Sequence, residues 1–527
     1  MTDPSINELI NSGHGHLARQ DYAAAHAVAD RLLRDFEHTP DTLLFAGEVQ
    51  FLRGNYAGTS KLAEDCMNAF PEDPAGGILR CRALMAMGRQ GEARDLALEI
   101  AKLDITDDRH VDILVTILSG CLVPEAAYPL AKGAVERDPY DAKAHRRLAL
   151  TCRLIGKLDE ALAEAKIAIR FDAHDYEMLG LRSNLKTATP DDNNIAELEA
   201  LLTAGCRSQL GAARVAYALA KELEEVGRYE RSFAVLQAAA TFKRQTIQFR
   251  PEDDLEAFKL LAEHFTAERI NDAGPGLPTQ EPIFILGLPR TGSTLLERIL
   301  EGHSEVYAAG ELLHFNAAMM AGIRETGNVR NHRDVVLKST EQDMTRLGQR
   351  YIDRTRPYTG HTNHFIDKRP LNFMSLGVIR MALPNAKVVH VRRTPMDACY
   401  SIYKFLFNEA YPWSYNLDEI ADYYIAYREL MEHWRSVMGD YIIDVAYEDV
   451  VDDIESAART LFTRLELAWD PAVLDFHKSE TATMTGSAVQ VRQKLYSSSV
   501  GRWKSYEEQL QPLANRLAAA DLDPYSP

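Results

Sequence analysis

The sequence is poor in cysteine and has no long apolar run. Its 527 residues include six cysteines without a C-x-x-C pair, so it offers neither a zinc signature nor a disulfide framework. No apolar run approaches the roughly 18–20 residues that cross a bilayer. Residues 1–5 lack the basic flank and apolar run of a signal peptide. We therefore expect a cytoplasmic chain without a membrane span.

Basic residues are too few to balance the acidic ones, and the net charge is −18 at pH 7. This charge argues against nucleic acid or an anionic membrane as a partner. Of the 59 Lys+Arg and 77 Asp+Glu residues, 27 and 32 fall in residues 282–527, which leaves 32 and 45 for residues 1–281. The acidic excess thus lies mainly in the first half, and the second half can carry a local basic pocket.

The whole chain is long enough for two to four structural units. A 34-residue repeat runs through its first part. One marker recurs five times at this spacing, and a small residue follows it by three positions. The markers are Tyr22, Tyr56, Gln90, Pro124 and Leu158, and the small residues are Ala25, Thr59, Ala93, Ala127 and Ala161. Glycine precedes three of the markers by two positions, at Gly54, Gly88 and Gly156.

This spacing predicts stacked helical hairpins, in which glycine permits a tight turn and a small residue lets two helices approach. Pro40 and Pro74 are expected to close the first two hairpins. The pattern resembles the tetratricopeptide repeat (TPR) family, with a further unit expected around residues 226–236. The resemblance implies a groove for a peptide or partner protein. The alternative is a plain helical bundle with accidental spacing.

Residues 281–294 predict a strand, a glycine-rich loop and a helix. The apolar run of residues 283–286 suits a buried strand, and Gly287 and Gly292 bracket the loop. Backbone N–H groups at the start of such a helix bind anions. The spacing is that of a Walker A loop, but Ser293 replaces the lysine that a nucleotide triphosphatase needs. Arg290 would supply the positive charge, unless the turn binds nothing.

This segment resembles the phosphosulfate loop of sulfotransferases that use PAPS (3′-phosphoadenosine 5′-phosphosulfate). The family pattern Pro-Arg-[Ser/Thr]-Gly-[Ser/Thr]-[Ser/Thr] is matched at every position. The residues that this resemblance assigns to the donor are Pro289, Arg290, Thr291, Gly292, Ser293 and Thr294.

A second motif begins about a hundred residues later. Residues 387–393 read as a strand that ends in arginine, and residues 394–401 continue with x-Pro-x-Asp and a serine. This resembles the family's 3′-phosphate motif, which implies that Arg393 and Ser401 hold one phosphate of the donor. Arg392 is a weaker candidate, one position out of register. The alternative is a surface arginine and an ordinary helix serine.

Two further positions resemble the family's nucleotide contacts. Residues 490–503 are similar to a C-terminal loop that closes over the nucleotide, and its late basic residue is Arg502. Trp503, the next residue, is as consistent with a core residue as with a nucleotide contact. Tyr447 follows a predicted strand where related enzymes have a nucleotide-contacting tyrosine, although tyrosine at a strand end is more often structural.

Sulfuryl transfer to a hydroxyl needs a base, positive charge for the sulfonyl oxygens, and stabilisation of the departing phosphate oxygen. The active-site pattern looks most like the tyrosylprotein branch of the family, which implies that Glu311 is the base. The alternative role for Glu311 is to satisfy N–H groups at a helix start. His314, one expected helical turn away, and His303 are rival bases.

The same resemblance implies that Lys368, in a strand-end Lys-x-Pro, neutralises the leaving oxygen and that Ser487 assists it. Arg290 would bridge the donor and the transition state. The sequence shows no spacing typical of metal ligands, so no metal is expected.

Together these patterns predict an α plus α/β chain: a TPR solenoid followed by a P-loop-like sulfotransferase domain with a parallel sheet. We predict a repeat domain over residues 1–245, a helical connector over 246–281 and the sulfotransferase domain over 282–527. The expected reaction moves sulfate from PAPS to a hydroxyl and releases PAP, with protein tyrosine as the favoured acceptor and a carbohydrate or lipid next. A P-loop kinase or nucleotide triphosphatase and a catalytically silent TPR scaffold are the alternatives.

Overall fold

A computed structural model of the protein describes residues 5–360, 362–407, 409–478 and 500–527. The chain divides into two compact units, Met1–Phe171 and Asp172–Pro527. No helix in the described ranges is long and apolar enough to cross a membrane.

The first unit consists of helices that pack in consecutive antiparallel pairs. Their bounds are α1 (Ile6–Ala18), α2 (Tyr22–Asp35), α3 (Pro40–Leu52), α4 (Tyr56–Ala69), α5 (Pro74–Ala86), α6 (Gln90–Ile100), α7 (Asp108–Gly120), α8 (Pro124–Arg137), α9 (Ala142–Ile155) and α10 (Leu158–Phe171). Each of the five sequence markers is the first residue of the second helix of a pair. The predicted helical hairpins are confirmed.

The turn inside each pair contains one residue with positive φ, and this position also recurs every 34 residues. Gly54, Gly88 and Gly156 have φ of 79°, 71° and 81°, as glycine allows without a steric penalty. The other two pairs place Gln20 (φ 59°) and Leu122 (φ 62°) at this position. The helix pair around Pro124 therefore forms the same turn although it has no glycine at this position.

The five small residues that follow the markers are all fully buried, which confirms that they lie where helices meet. The expectation for the two prolines is wrong. Pro40 and Pro74 are the first residues of α3 and α5, so each opens a helix rather than closing one. Proline fits there because the first turn needs no N–H donor from it.

The second unit begins with helices and continues as a sheet with helices on both faces. The helices before the sheet are α11 (Tyr176–Leu185), α12 (Ile195–Ala204), α13 (Gln209–Glu225), α14 (Tyr229–Arg244), α15 (Pro251–His264) and α16 (Ala267–Asn271). The strands are β1 (Pro282–Gly287), β2 (Val306–Ala308), β3 (His364–Lys368), β4 (Lys387–Arg392) and β5 (Ile442–Ala446).

The helices between and after the strands complete this unit. They are α17 (Ser293–Glu301), α18 (His314–Thr326), α19 (His332–Ser339), α20 (Met344–Thr355), α21 (Leu376–Ala382), α22 (Pro395–Tyr403), α23 (Leu417–Met438), α24 (Tyr447–Asp452), α25 (Ile454–Leu465) and α26 (Glu507–Ala518). Short 3-10 turns include Arg356–Tyr358, Pro370–Ser375, Pro471–Lys478 and Arg502–Tyr506.

The strand order across the sheet is β2-β3-β1-β4-β5, and each neighbouring pair is parallel. All five strands therefore end at the same edge, where an open parallel sheet binds its ligands. The prediction of a parallel-sheet domain after a helical-repeat region is confirmed. The strands predicted over residues 283–286, 365–367, 387–391 and 441–445 agree with β1, β3, β4 and β5 to within one residue at each end, whereas the three-residue β2 was not foreseen.

Both faces of the sheet are covered, as the all-buried β1 requires. Phe284 and Leu286 belong to one core cluster, which also contains Trp434 of α23. Ile283 and Ile285 belong to another, which also contains Leu461 of α25. The alternation along β1 therefore splits the core into two layers.

The hairpin of α13 and α14 contributes to the first of these layers. Phe233 of α14 packs against Tyr403 and Tyr506, with ring centroids 6.3 and 5.6 Å away. These helices thus share a core with the sheet, and the compact unit that holds the sheet begins at Asp172. A functional boundary at residue 245 stays a prediction.

Candidate active site

The glycine-rich loop joins β1 to α17 at the carboxyl edge of the sheet. Gly292 has φ of 104°, and a Cβ there would lie 2.3 Å from the ring of Tyr447. Arg290 also has positive φ, 65°, a conformation that costs a non-glycine residue free energy and often marks functional loops. Gly292 caps α17 without a side-chain hydrogen bond. The loop thus brings Arg290 and the start of a helix to the same place.

The side chains of this loop differ in what they contact. The buried Thr291 hydroxyl donates to the carbonyl of Leu288 at 2.8 Å, so it stabilises the loop itself. Ser293 and Thr294 are buried in the first turn of α17, and Pro289 is buried before it. Arg290 is partly exposed, and its guanidinium lies 4.5 Å from the ring centroid of Phe405.

Arg393 follows β4 and reaches the same loop. Its Nη1 donates to the backbone carbonyl of Arg290 at 3.0 Å, and its guanidinium lies 4.9 Å from the ring centroid of Tyr447. Asp397, one turn into α22, is 3.8 Å from Arg393. Ser401 lies one turn further along α22 and is largely buried. Arg393 therefore contacts the backbone of the loop that carries Arg290.

Lys368 ends β3 and is fully buried. Its Nζ donates to Glu311 Oε1 at 2.6 Å and lies 4.0 Å from Glu297 Oε2. The side chain of Glu311 is 43% exposed and that of Lys368 is 1% exposed, so the carboxylate is the more open partner of the pair. Burial is the main reason that the pKa of Glu297 is raised. Lys368 therefore lies between a partly exposed carboxylate, Glu311, and a buried one, Glu297.

The two histidine candidates make contacts of their own with other parts of the fold. His314 is the first residue of α18, with Leu313 as its cap, so Glu311 precedes the helix and the expected one-turn spacing is wrong. Nδ1 of the buried His314 lies 3.4 Å from the Thr355 hydroxyl, and burial together with the charge of Arg354 lowers its pKa to about 4.

His303 has a structural set of contacts. Its Nε2 hydrogen-bonds the carbonyl of Ala468 at 3.0 Å, and its Nδ1 accepts the N–H of Glu305 at 3.2 Å. Both ring nitrogens are therefore used within the fold.

The remaining predicted residues lie in three places. Tyr447 begins α24 after β5 and closes one side of the loop. Arg502 donates to Glu224 of α13 at 3.1 Å. Trp503 is buried and stacks on Tyr525 at 5.2 Å between ring centroids, so it belongs to the core. Ser487 lies outside the described residues.

Several polar residues that support the site were given no role in the sequence analysis. Glu297 accepts the N–H of Gly310 at 3.1 Å, next to the strand that carries Lys368. Asp397 accepts the N–H of Gly501 at 2.7 Å, and Glu448 accepts that of Thr394 at 2.9 Å. For Glu297 a signal existed, because a charged residue interrupts the apolar face of a helix that follows a buried strand.

Within the described ranges, no group of three or more His, Cys, Asp or Glu side chains is placed to hold a metal ion.

The chain is similar in parts to several known proteins. The model of the sulfotransferase family matches residues 282–471. An uncharacterized protein of Aquifex aeolicus (strain VF5) is 29% identical over 399 residues, 74% of this chain and 52% of that protein. Protein-tyrosine sulfotransferase 1 of Danio rerio is 22% identical over 270 residues, 46% of this chain and 73% of that protein. The chain spans about half the length of the first of these relatives.

Two solved structures align with different parts of the chain. The sulfotransferase domain of the olefin synthase of Synechococcus PCC 7002 is 20% identical with a TM-score of 0.34, over 46% of this chain and 97% of that one. A thermophilic TPR protein of Thermus thermophilus is 19% identical with a TM-score of 0.22, over 44% and 100%. On the match to the family model, residues 282–471 form a sulfotransferase-family domain, which follows a helical-repeat unit in the same chain.

Proposed function

We propose that this domain transfers the sulfuryl group of PAPS to a hydroxyl group of an acceptor molecule and releases PAP. The observation that carries the proposal is the 3.0 Å hydrogen bond from Arg393 to the carbonyl of Arg290. The arginine of one motif thereby contacts the backbone of the arginine of the other, 103 positions away in the chain. A donor with an anionic group at each end needs such a pair.

The chemistry of these side chains fits the donor. Arg290, the helix start at Ser293 and the buried Lys368 offer positive charge to the phosphosulfate end. Arg393 and Ser401 are proposed to take the 3′-phosphate. The Walker lysine, which balances a triphosphate, is replaced by Ser293. This replacement favours a donor with less charge around the transferred group.

The contact between Lys368 and Glu311 supports the roles that we propose for them in the reaction. Glu311 is proposed to take the proton of the acceptor hydroxyl, because it is the carboxylate of the pair that is open to solvent. Lys368 neutralises the departing phosphate oxygen, and Arg290 stabilises the sulfonyl oxygens. PAPS supplies the sulfuryl group: an O–S bond to the acceptor forms, the S–O bond to the phosphate breaks, and the proton leaves on Glu311.

For the acceptor we propose protein tyrosine first, and a carbohydrate or lipid hydroxyl next. The similarity to a protein-tyrosine sulfotransferase supports the first choice, at 22% identity.

We also propose that the helical repeats hold a peptide or partner protein. The six cysteines are all free, which supports a cytoplasmic setting.

Calorimetry with PAP tests the donor site directly. The full chain should bind PAP, and Arg290→Ala and Arg393→Ala should each weaken binding by roughly ten- to a hundredfold, the loss expected for a charge-assisted hydrogen bond. Arg516→Ala is a matched control, since Arg516 pairs with Asp422 outside the cleft. Wild-type protein that does not bind PAP, or that turns over ATP with magnesium instead, refutes the proposal.

A transfer assay with PAPS and a tyrosine peptide separates binding from chemistry. Glu311→Gln should lower kcat by about a hundredfold or more, since a general base supplies that much. Its affinity for PAP should stay within about threefold of wild type, because Glu311 is assigned to the acceptor. An unchanged kcat would remove Glu311 from the reaction.

A further inference from the structure

A buried carboxylate on a helix before the sheet gathers four side chains from the sheet region. Glu224, at the end of α13, is 8% exposed. Its Oε1 accepts from Lys404 at 2.9 Å and from Arg502 at 3.1 Å. Its Oε2 accepts from the hydroxyls of Tyr400 and, at 2.9 Å, Tyr506. One carboxylate therefore meets two cations and two phenols, and the cluster carries an excess of positive charge.

Glu224 stays charged over the usual pH range. Burial by itself raises the pKa of Glu224, but the charge of Lys404 and the hydrogen bonds from Tyr400 and Lys404 outweigh it, and the pKa falls to about 2. Lys404 and Arg502 are thus held by a fixed negative charge rather than by a group that titrates near neutrality.

Lys404 lies next to the proposed donor site. It caps the carboxyl end of α22, one turn after Ser401. The guanidinium of Arg290 lies 4.5 Å from the ring centroid of Phe405, the next residue in the chain. Burial lowers the pKa of Lys404, and the charges of Arg502 and Arg290 lower it further against the opposing effect of Glu224. Lys404 is therefore within electrostatic reach of the arginine of the loop.

The ammonium of Lys404 has capacity for a second partner. Its side chain is 34% exposed, in contrast to the 1% of Lys368. An ammonium has three N–H donors, so Lys404 can keep Glu224 and still donate to an anionic oxygen in the cleft. A lysine that only paired with Glu224 would not need a partly exposed side chain close to a second cation, Arg290.

We propose that Lys404 is a further donor-binding residue and that Glu224 is the positioning residue that aims it. This inference rests on the proposed function, since it adds a contact to the same donor site. Lys404 binds an anionic group of the nucleotide beside Arg290, and Glu224 fixes its side chain before the nucleotide arrives. The α13–α14 hairpin is then part of the sulfotransferase site as well as of its core.

Calorimetry with PAP on the full chain tests the contact. Lys404→Met should weaken PAP binding by about ten- to a hundredfold, as for the loss of a charge-assisted hydrogen bond. Lys404→Arg should stay within about threefold of wild type, because it keeps the charge. Lys387→Met is the matched control: Lys387 pairs with Glu466 at the opposite edge of the same sheet, and its loss should leave PAP binding unchanged.

Steady-state kinetics test the positioning role. Glu224→Gln should raise the KM for PAPS about three- to tenfold with kcat little changed, because the charge that fixes Lys404 is removed. Glu419→Gln is its control, since Glu419 pairs with Arg244 of α14 outside the cluster. A merely structural loss would lower the fraction of active protein, and hence kcat, without raising the KM.

The outcomes distinguish this inference from the proposed function. Wild-type protein that binds PAP while Lys404→Met binds it equally well overturns the inference alone. Wild-type protein that does not bind PAP overturns both. Circular dichroism checks the fold of each variant, and Lys404→Gln replaces Lys404→Met if the latter does not fold, with the same loss of binding expected.

Discussion

Replacing Gly292 by alanine should weaken both the fold and the donor loop, for two separable reasons. The residue has φ of 104°, and the added Cβ would lie 2.3 Å from Cδ2 of Tyr447. A non-glycine residue in such a conformation costs about 1–3 kcal/mol. An extra methyl in a filled space costs about 1–3 kcal/mol more. The sum, about 2–6 kcal/mol, is a large share of the 5–15 kcal/mol by which typical domains are stable.

Gly274 provides the control for the backbone part of this cost. Its φ is 83°, but a Cβ there would meet no atom within 4 Å. Gly274→Ala should therefore lose only the conformational part. Urea unfolding followed by circular dichroism would measure the difference between the two variants, which we expect to be about 1–3 kcal/mol.

A double-mutant cycle assigns that difference to one contact. Tyr447→Ala removes the ring that the new methyl would strike, so Gly292→Ala should cost less in the Tyr447→Ala background. Arg393 lies against the same ring, and displacement of the ring should also weaken PAP binding by Gly292→Ala. Equal stabilities of the Gly292→Ala and Gly274→Ala variants, with no coupling to Tyr447, would refute this account of the loop.

Two further predictions concern buried titratable groups. Burial raises the pKa of Asp367 to about 7 against the hydrogen bonds from Tyr351 and Asn372 that lower it, so the folded state keeps a proton that the unfolded state loses near pH 4. The free energy of unfolding should therefore fall by roughly 1 kcal/mol per pH unit as the pH rises from about 4 to 7. Asp367→Asn should remove this pH dependence in urea unfolding. The same pH dependence in the wild type and in Asp367→Asn would contradict the prediction. Burial also raises the pKa of all six cysteine thiols, of which Cys206 alone is not fully buried. Cys206 should react first with a thiol reagent on the native protein, and a fast phase that survives Cys206→Ser would disprove this.

Local sequence patterns predicted the elements that depend on nearest neighbours along the chain. The 34-residue spacing predicted the helical hairpins, because turn geometry and close helix packing repeat with the chain. The loop after β1 could be predicted because the conformations at Gly287 and Gly292 need glycine. Tyr307 and its two neighbours were missed as a strand, since three residues carry no alternating pattern.

Contacts between distant segments could not be read from such patterns. Lys368 and Glu311 were both singled out, but their pairing at 2.6 Å depends on the order of β2 and β3 in the sheet. The pairing of Arg502 with Glu224, 278 positions away, is a second contact of this kind. Burial decides such pairings, because a charge removed from water must find a partner wherever the fold supplies one.

The sequence by itself determined the helical-repeat spacing, the parallel-sheet class and the residue types at the strand ends, because each follows from local sterics, periodicity or side-chain chemistry. Tertiary structure alone decided that Arg393 bonds the carbonyl of Arg290, that Glu311 precedes the helix that His314 begins, and that Glu224 holds Lys404. These outcomes depend on strand order and on the burial of charge, and both are properties of the packed chain rather than of any one segment.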